Sequence, residues 1–458
     1  MRPLHVLLAA LVALGAARFV YGLATSPLGM TDETHLNMTY EAQERALSSG
    51  RPLRTGRWWG PLFPMIFRGL GALDLPRWLL NLSQRVLLAL LYAVSLLLLT
   101  RSVGPSAWIA VPSRTLVCRA VLVFLGLQSS AAIYAISGGM AEPLTAFCVV
   151  GHHWFFARKR YLSAAGLICF GIYFKLWPLV FVWPYLLFAL LSRPHRSYIA
   201  ALAGATAIIA AASLPVMDWW YGALYPVAMI VDIFTTAPKV VPTGSAEVVG
   251  LVFVVERILS GFSYASALHP NLVLVQMLGA AATILLITTT SCAAIVLAHT
   301  EQRWNTNPAD RRRALLLFDA TIGFCAASFS LDLSLAHLLY LIPSLYAVLL
   351  LWTTPPPTAT WEHPLRPSAV VLVTAGMVLI GGLVPLSLVF RVVPLSWFDA
   401  LAGNDALLGT YVWFRVPLAK YMWYEVPLFG VYLLAAALVV TWATARRRIA
   451  REAGAPAV

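Results

Sequence analysis

Long apolar runs separated by short polar breaks dominate this chain. They fall at residues 4–25, 79–100, 116–134, 141–157, 161–176, 178–192, 197–215, 271–298, 314–330, 335–352, 368–390 and 426–443. A bilayer-crossing helix needs roughly 20 apolar residues, so the pattern predicts an all-α polytopic membrane protein of about 12 transmembrane helices, within a range of roughly 10–13. The pair 161–176 and 178–192 is short and is split by Pro178, which softens its boundaries. The first run also has the outline of a signal peptide, with Arg2 ahead of an apolar stretch and small residues around Ala24. No clear small-x-small site follows, and it is read as an uncleaved first helix.

Composition agrees with the pattern. With 60% hydrophobic and 11% charged residues and a mean hydropathy of +0.79, the chain has more apolar surface than a water-soluble core could hide. Cationic loops resist translocation, so the placement of Lys and Arg predicts orientation. Alternate connections from Arg2 to the cluster Arg446, Arg447, Arg448 and Arg451 carry seventeen basic residues. Beyond the first loop, the other side holds only Lys239, Arg257, Arg391, Arg415 and Lys420. Both termini are therefore expected inside the cell. Residues 1–443 form one membrane domain with outer loops at 26–78, 216–270 and 391–425, and 444–458 is a basic cytoplasmic tail. The net charge of +13 is mostly this topological signal, not a sign of nucleic-acid binding.

The first outer loop breaks the charge rule. It holds Arg45, Arg51, Arg54, Arg57, Arg68 and Arg77, with Trp58, Trp59 and Trp78 interleaved. These suit either anchoring to lipid phosphates or binding a phosphate-bearing lipid headgroup, because a planar guanidinium grips phosphate oxygens at any relevant pH. Ahead of them, Met30-Thr-Asp-Glu-Thr-His35 puts Asp32 and Glu33 side by side just after the first span. Residues 30–49 are expected to be helical, with Thr31 as cap and Asp32 and His35 within reach of each other. Acids at a helix start can be ordinary electrostatics. A polar pocket at the membrane surface is the alternative.

Other chemistry-bearing positions are sparse. Glu142 lies in Gly138-Gly-Met-Ala-Glu-Pro143 at the outer start of the fourth run, and Lys175 interrupts two apolar helices in Phe174-Lys-Leu-Trp-Pro178. A lysine at membrane depth is costly and is usually paired or functional. Asp218-Trp-Trp-Tyr221 opens the large outer loop, and His337 lies in an outer turn with Asp332. His152 and His153 are expected to snorkel to the cytoplasmic interface, and Asp319 falls near that same end, away from the outer chemistry. The five cysteines all fall in apolar runs, without a CxxC pattern. Asn37-Met-Thr39 and Asn81-Leu-Ser83 match the glycosylation acceptor pattern, which often arises by chance.

First span, acidic pair, helix, Gly50-Arg-Pro-Leu-Arg-Thr-Gly56, then Arg57-Trp-Trp-Gly-Pro-Leu-Phe-Pro64 leading into the next span: this order resembles the GT-C class of membrane glycosyltransferases. It is most similar to the polyprenol-phosphate-mannose-dependent mannosyltransferases and their bacterial relatives, most clearly over residues 1–80, less over 130–220, and by topology elsewhere. The resemblance implies transfer of a sugar, mannose favoured, from a polyprenyl-phosphate donor to a hydroxyl of a glycan, glycolipid or protein acceptor at the outer face of a bacterial cytoplasmic membrane. It implies Asp32 as general base, with Glu33 as partner or substitute. Substrate binding then falls to His35, Arg51, Arg54, Arg57, Trp58, Trp59, Glu142, Lys175, Asp218, His337, Arg391 and Arg415, with Lys175 contacting the donor phosphate. The Asp-Glu pair departs from the Asp-x-Asp of metal-using relatives. A divalent metal is permitted by the class but not indicated by these residues, and no other cofactor is expected. A multi-pass transporter or lipid flippase is the competing class. It accounts for the span count and for Lys175, but not for acids, arginines and aromatics concentrated in one outer loop.

Overall fold

The computed structural model describes residues 3–25, 34–48, 60–102, 113–221, 272–304 and 308–329, residues 252, 255 and 259, and shorter pieces between 335 and 440. The chain is helical. Its helices are α1 (Pro3–Thr25), α2 (His35–Ser48), α3 (Leu62–Gly71), α4 (Arg77–Ser102), α5 (Ser113–Leu127), α6 (Ser130–Ser137), α7 (Glu142–Phe156), α8 (Tyr161–Phe174), α9 (Leu179–Leu191), α10 (Ser197–Tyr221), α11 (Leu272–Trp304) and α12 (Pro308–Phe329). Short 3-10 turns occupy Arg193–His195 and Leu335–Tyr340. Among the described residues the departure from all-α is a two-residue antiparallel ladder that sets Tyr411 opposite Pro417 and Val412 opposite Val416.

Among the described residues, four stretches are long and apolar enough to cross a membrane: Pro3–Ala24, Arg77–Ser102, Arg193–Trp220 and Met277–His299. The run at 116–134, expected as one span, is instead a pair of helices bent by 54°. The cause is local. Ser129 leaves the helical conformation at ψ 117° and its hydroxyl accepts from the Ala132 N–H, capping α6 and stopping α5.

The core is formed where α7 packs on α4 and α8, α8 on α10, and α9 on α11. Helices α7, α8 and α9 have 15, 14 and 13 residues. At about 1.5 Å per residue they are roughly 20–22 Å long, against about 30 Å of bilayer hydrocarbon. Each is shorter than the hydrocarbon is thick, and one end of this group carries the site described next. Bulky buried rings, Tyr92, Tyr185, Tyr198, Phe156, Phe181 and Phe188, fill the space between these helices.

Candidate functional site

Three breaks in the helical pattern meet at one end of the bundle. Before α7, Gly139 turns the chain with φ 60°, a left-handed conformation that favours glycine, and Glu142 then opens the helix with Pro143 in its first turn. After α8, Lys175 is extended at φ −147°, ψ 130°, and Pro178 precedes α9. The third break is the 3-10 turn that carries His337.

All three side chains are buried, and they touch. The Lys175 ammonium donates to Glu142 Oε1. His337 Nε2 is 3.3 Å from that oxygen and 3.5 Å from Lys175 Nζ. One ring nitrogen cannot donate to the carboxylate and accept from the ammonium at once, so the His337 tautomer selects between these contacts. Trp177 stacks on His337 at 5.0 Å and on Tyr340 at 4.7 Å, and the Tyr340 hydroxyl bonds that of Thr145, one turn into α7. Ions taken out of water must be paired to be tolerated. Lys175, expected at the donor phosphate, is held by Glu142.

The segment after α1 is fastened beside this cluster at two described points. At its start, His35 N–H donates to Gly138 O at 2.8 Å and Leu36 N–H to Gly139 O at 3.2 Å. Thr34 is fully buried, and a Cβ on Gly139 would fall 2.4 Å from its Cβ. At the other end, Gly60 N–H donates to Phe174 O at 2.9 Å, and a Cβ on Gly60 would sit 2.1 Å from Tyr173 O. Glycine is required there by close backbone approach. One end thus lies on the turn before Glu142 and the other beside Lys175.

The cap of α2 differs from expectation. The Asn37 N–H donates to Thr34 Oγ1 at 3.2 Å, so Thr34 rather than Thr31 caps the helix, which begins at His35. Within α2, Tyr40 stacks on Phe67 at 5.7 Å. Burial, reinforced by the charge of Glu44 and a hydrogen bond to it, pushes the Tyr40 phenol up to about 12. Arg68, on α3, donates to Trp220 O at 3.2 Å and lies 5.6 Å from the Trp220 ring. This brings α3 to the last turn of α10, where Asp218 is exposed. Arg77 makes an exposed pair with Glu41 at 3.0 Å. Of the other expected site residues, Asp32, Glu33, Arg51, Arg54, Arg57, Trp58, Trp59, Arg391 and Arg415 lie outside the described residues.

A second polar cluster lies toward the other end of α7. His152 and His153, expected at the interface, are 0% and 3% exposed, because α7 is enclosed by its neighbours. His153 Nδ1 pairs with Asp319 Oδ2, and the Tyr185 hydroxyl donates to Asp319 Oδ1 at 2.6 Å. His152 Nε2 is 3.0 Å from the Tyr198 hydroxyl. Beyond it, His195 Nε2 is 2.6 Å from Glu301 Oε1, His195 Nδ1 is 2.7 Å from the Tyr161 hydroxyl, and Ser192 donates to Glu301 Oε2. Acids in α11 and α12 and histidines in α7 were the available signal for this cluster, since an ionisable side chain in an apolar helix needs a partner.

Two further points bear on chemistry. Among the described residues no group of three or more His, Cys, Asp or Glu side chains could hold a metal ion. Asn81 is 3% exposed, and Asn37 is hydrogen-bonded to Asn81 and Gln84, so neither acceptor tripeptide can carry a glycan in this fold. No family model matches the chain, and no curated protein matches it in sequence.

Proposed function

We propose that this chain is a membrane glycosyltransferase of the GT-C kind, with about 12 spans and both termini cytoplasmic in a bacterial inner membrane. It moves a sugar, mannose favoured by resemblance, from a polyprenyl phosphate to an acceptor hydroxyl at the outer face. The observation that carries the reading is the fastening of the first loop, at Thr34–Leu36 and at Gly60, beside the buried Glu142–Lys175–His337 cluster. In this reading the acidic and arginine-rich residues on either side of those two attachments act together with that cluster.

In the proposed reaction a first-loop carboxylate, Asp32 with Glu33 as partner, takes the acceptor hydroxyl proton as that oxygen attacks the anomeric carbon. The bond to the lipid phosphate breaks on the opposite face, and its electron pair leaves with the phosphate, so configuration inverts. Growing charge on the leaving group needs cations. Lys175 is already paired, so the loop arginines carry most of that charge, while Glu142, Lys175 and His337 shape the floor of the site and Trp177 lends it an aromatic wall.

The test is transfer of labelled sugar from polyprenyl-phosphate donors by wild type, Asp32→Asn and Glu33→Gln. Unimpaired transfer in both folded variants removes the base assignment. Failure of the wild type across a broad donor and acceptor panel removes the enzyme reading. A second reading, a multi-pass transporter or lipid flippase, draws on the buried His153–Asp319 and His195–Glu301 couples. It requires flux in proteoliposomes that Asp319→Asn abolishes.

A further inference from the structure

Thr34 is where the first loop enters the described fold, and a closed ring of hydrogen bonds holds it. Its hydroxyl donates to Gln84 Oε1 at 2.5 Å. Gln84 Nε2 donates to Asn37 Oδ1 at 2.6 Å, and the Asn37 N–H returns to Thr34 Oγ1 at 3.2 Å. The Thr34 hydroxyl and the Gln84 amide each donate and accept, so their bonds polarise one another, while Asn37 closes the ring through two separate groups, its side-chain oxygen accepting and its backbone N–H donating. The Asn37 amide also donates to Asn81, one turn earlier on α4. Asn81 and Gln84 are both buried, on one face of a helix long and apolar enough to cross the membrane.

Two buried amides cost stability unless fully satisfied, and an apolar pair would pack α2 on α4 as well. What the amides add is direction, because hydrogen bonds fix rotation and register where methyl contacts allow sliding. The fixed point is Thr34, whose side chain sits against Gly139, three residues ahead of Glu142.

We infer that Gln84, Asn37 and Thr34 are positioning residues: their ring locks the start of α2 onto α4 and onto the Gly138–Gly139 turn that leads into Glu142. The inference rests on the glycosyl-transfer reading for its consequence in rate. It does not rest on it for the placement itself.

Thr34→Val is the discriminating variant, because it keeps the shape against Gly139 and removes only the ring. A displacement of about 1 Å costs on the order of 100-fold in rate, so kcat in Thr34→Val should fall by about 10- to 100-fold, with KM for the lipid donor within about threefold. Thr34→Ser keeps the ring and should stay within about threefold of wild type. Gln84→Leu should match Thr34→Val, and the double variant should be no worse than either single one, as for groups acting as a unit. A readout independent of activity is the labelling rate of Thr31→Cys by a membrane-impermeant maleimide, which should rise when Thr34→Val is added. Wild-type kcat in folded Thr34→Val overturns the inference even if its stability is reduced. Unchanged labelling overturns it as well. A wild type that transfers no sugar defeats the functional reading instead, and the labelling rates alone then decide whether the ring locks the start of α2.

Discussion

The two buried ionic clusters sit toward opposite ends of α7 and differ in how much of each comes from helix breaks. At one end of the bundle, Glu142, Lys175 and His337 come from a glycine turn, a break between two helices and a 3-10 turn. Toward the other end of α7, His153 in its last turn meets Asp319 in the middle of α12, and His195, from a 3-10 turn, meets Glu301 in the last turn of α11. Irregular backbone at membrane depth survives only where protein or a watery cavity satisfies it. The first cluster draws all three of its members from such breaks, and loop residues Thr34–Leu36 and Gly60 bond to the backbone next to it. The second cluster has the build of a fastener, one pair joining α7 to α12 and the other joining the turn after α9 to α11.

The largest effects that test this contrast come from removing one member of each couple. Lys175→Met and Asp319→Ala should each destabilise the protein by about 3–5 kcal/mol, because each strands a buried ionisable partner. Thermal unfolding in detergent measures this. Matched removals, Lys175→Met with Glu142→Gln and Asp319→Leu with His153→Leu, should recover part of the loss. The contrast breaks if the Asp319/His153 pair, once refolded to wild-type stability, has lost its activity per folded molecule while the Lys175/Glu142 pair has kept it.

Smaller and more local is Gly139→Ala. A left-handed backbone and a Cβ that meets Thr34 should cost about 1–3 kcal/mol and reduce transfer, whereas Gly166→Ala, on α8 with open space around it, should leave transfer intact. Tyr198→Phe removes a single hydrogen bond to His152 in the second cluster. A loss of about 0.5–1.5 kcal/mol without a change in activity is expected, and a loss of activity alone would give that cluster a chemical role. Smallest is Arg77→Ala: the Arg77 side chain is 73% exposed beside Glu41, so solvent screening leaves about 0–1 kcal/mol. A larger drop would mean that α2 is held by charge more than by the Thr34–Gln84 ring.

Much of the helical framework was legible along the chain, since apolar runs with glycine and proline breaks report helix and break directly. The break at Lys175 and the helix start at Glu142 both fall where the pattern puts them. The stop at Ser129 was hidden, because one capping hydroxyl interrupts a run that stays apolar on both sides. The burial of His152 and His153 was hidden as well. A basic stretch follows them in the chain, while their surroundings are set by α9, α10 and α12.

By itself, then, the sequence determined that the chain is helical, rich in apolar segments long enough for a membrane, and sparing with charge, because periodicity and hydropathy act over neighbouring residues. Only the tertiary structure decided which rare polar groups meet. Lys175 finds Glu142 at a separation of 33 residues and His337 at 162, and Thr34 finds Gln84 at 50. Such meetings depend on how each helix is rotated and which helices stand beside it, and these are set by the packing of all the apolar faces together rather than by any local stretch of chain.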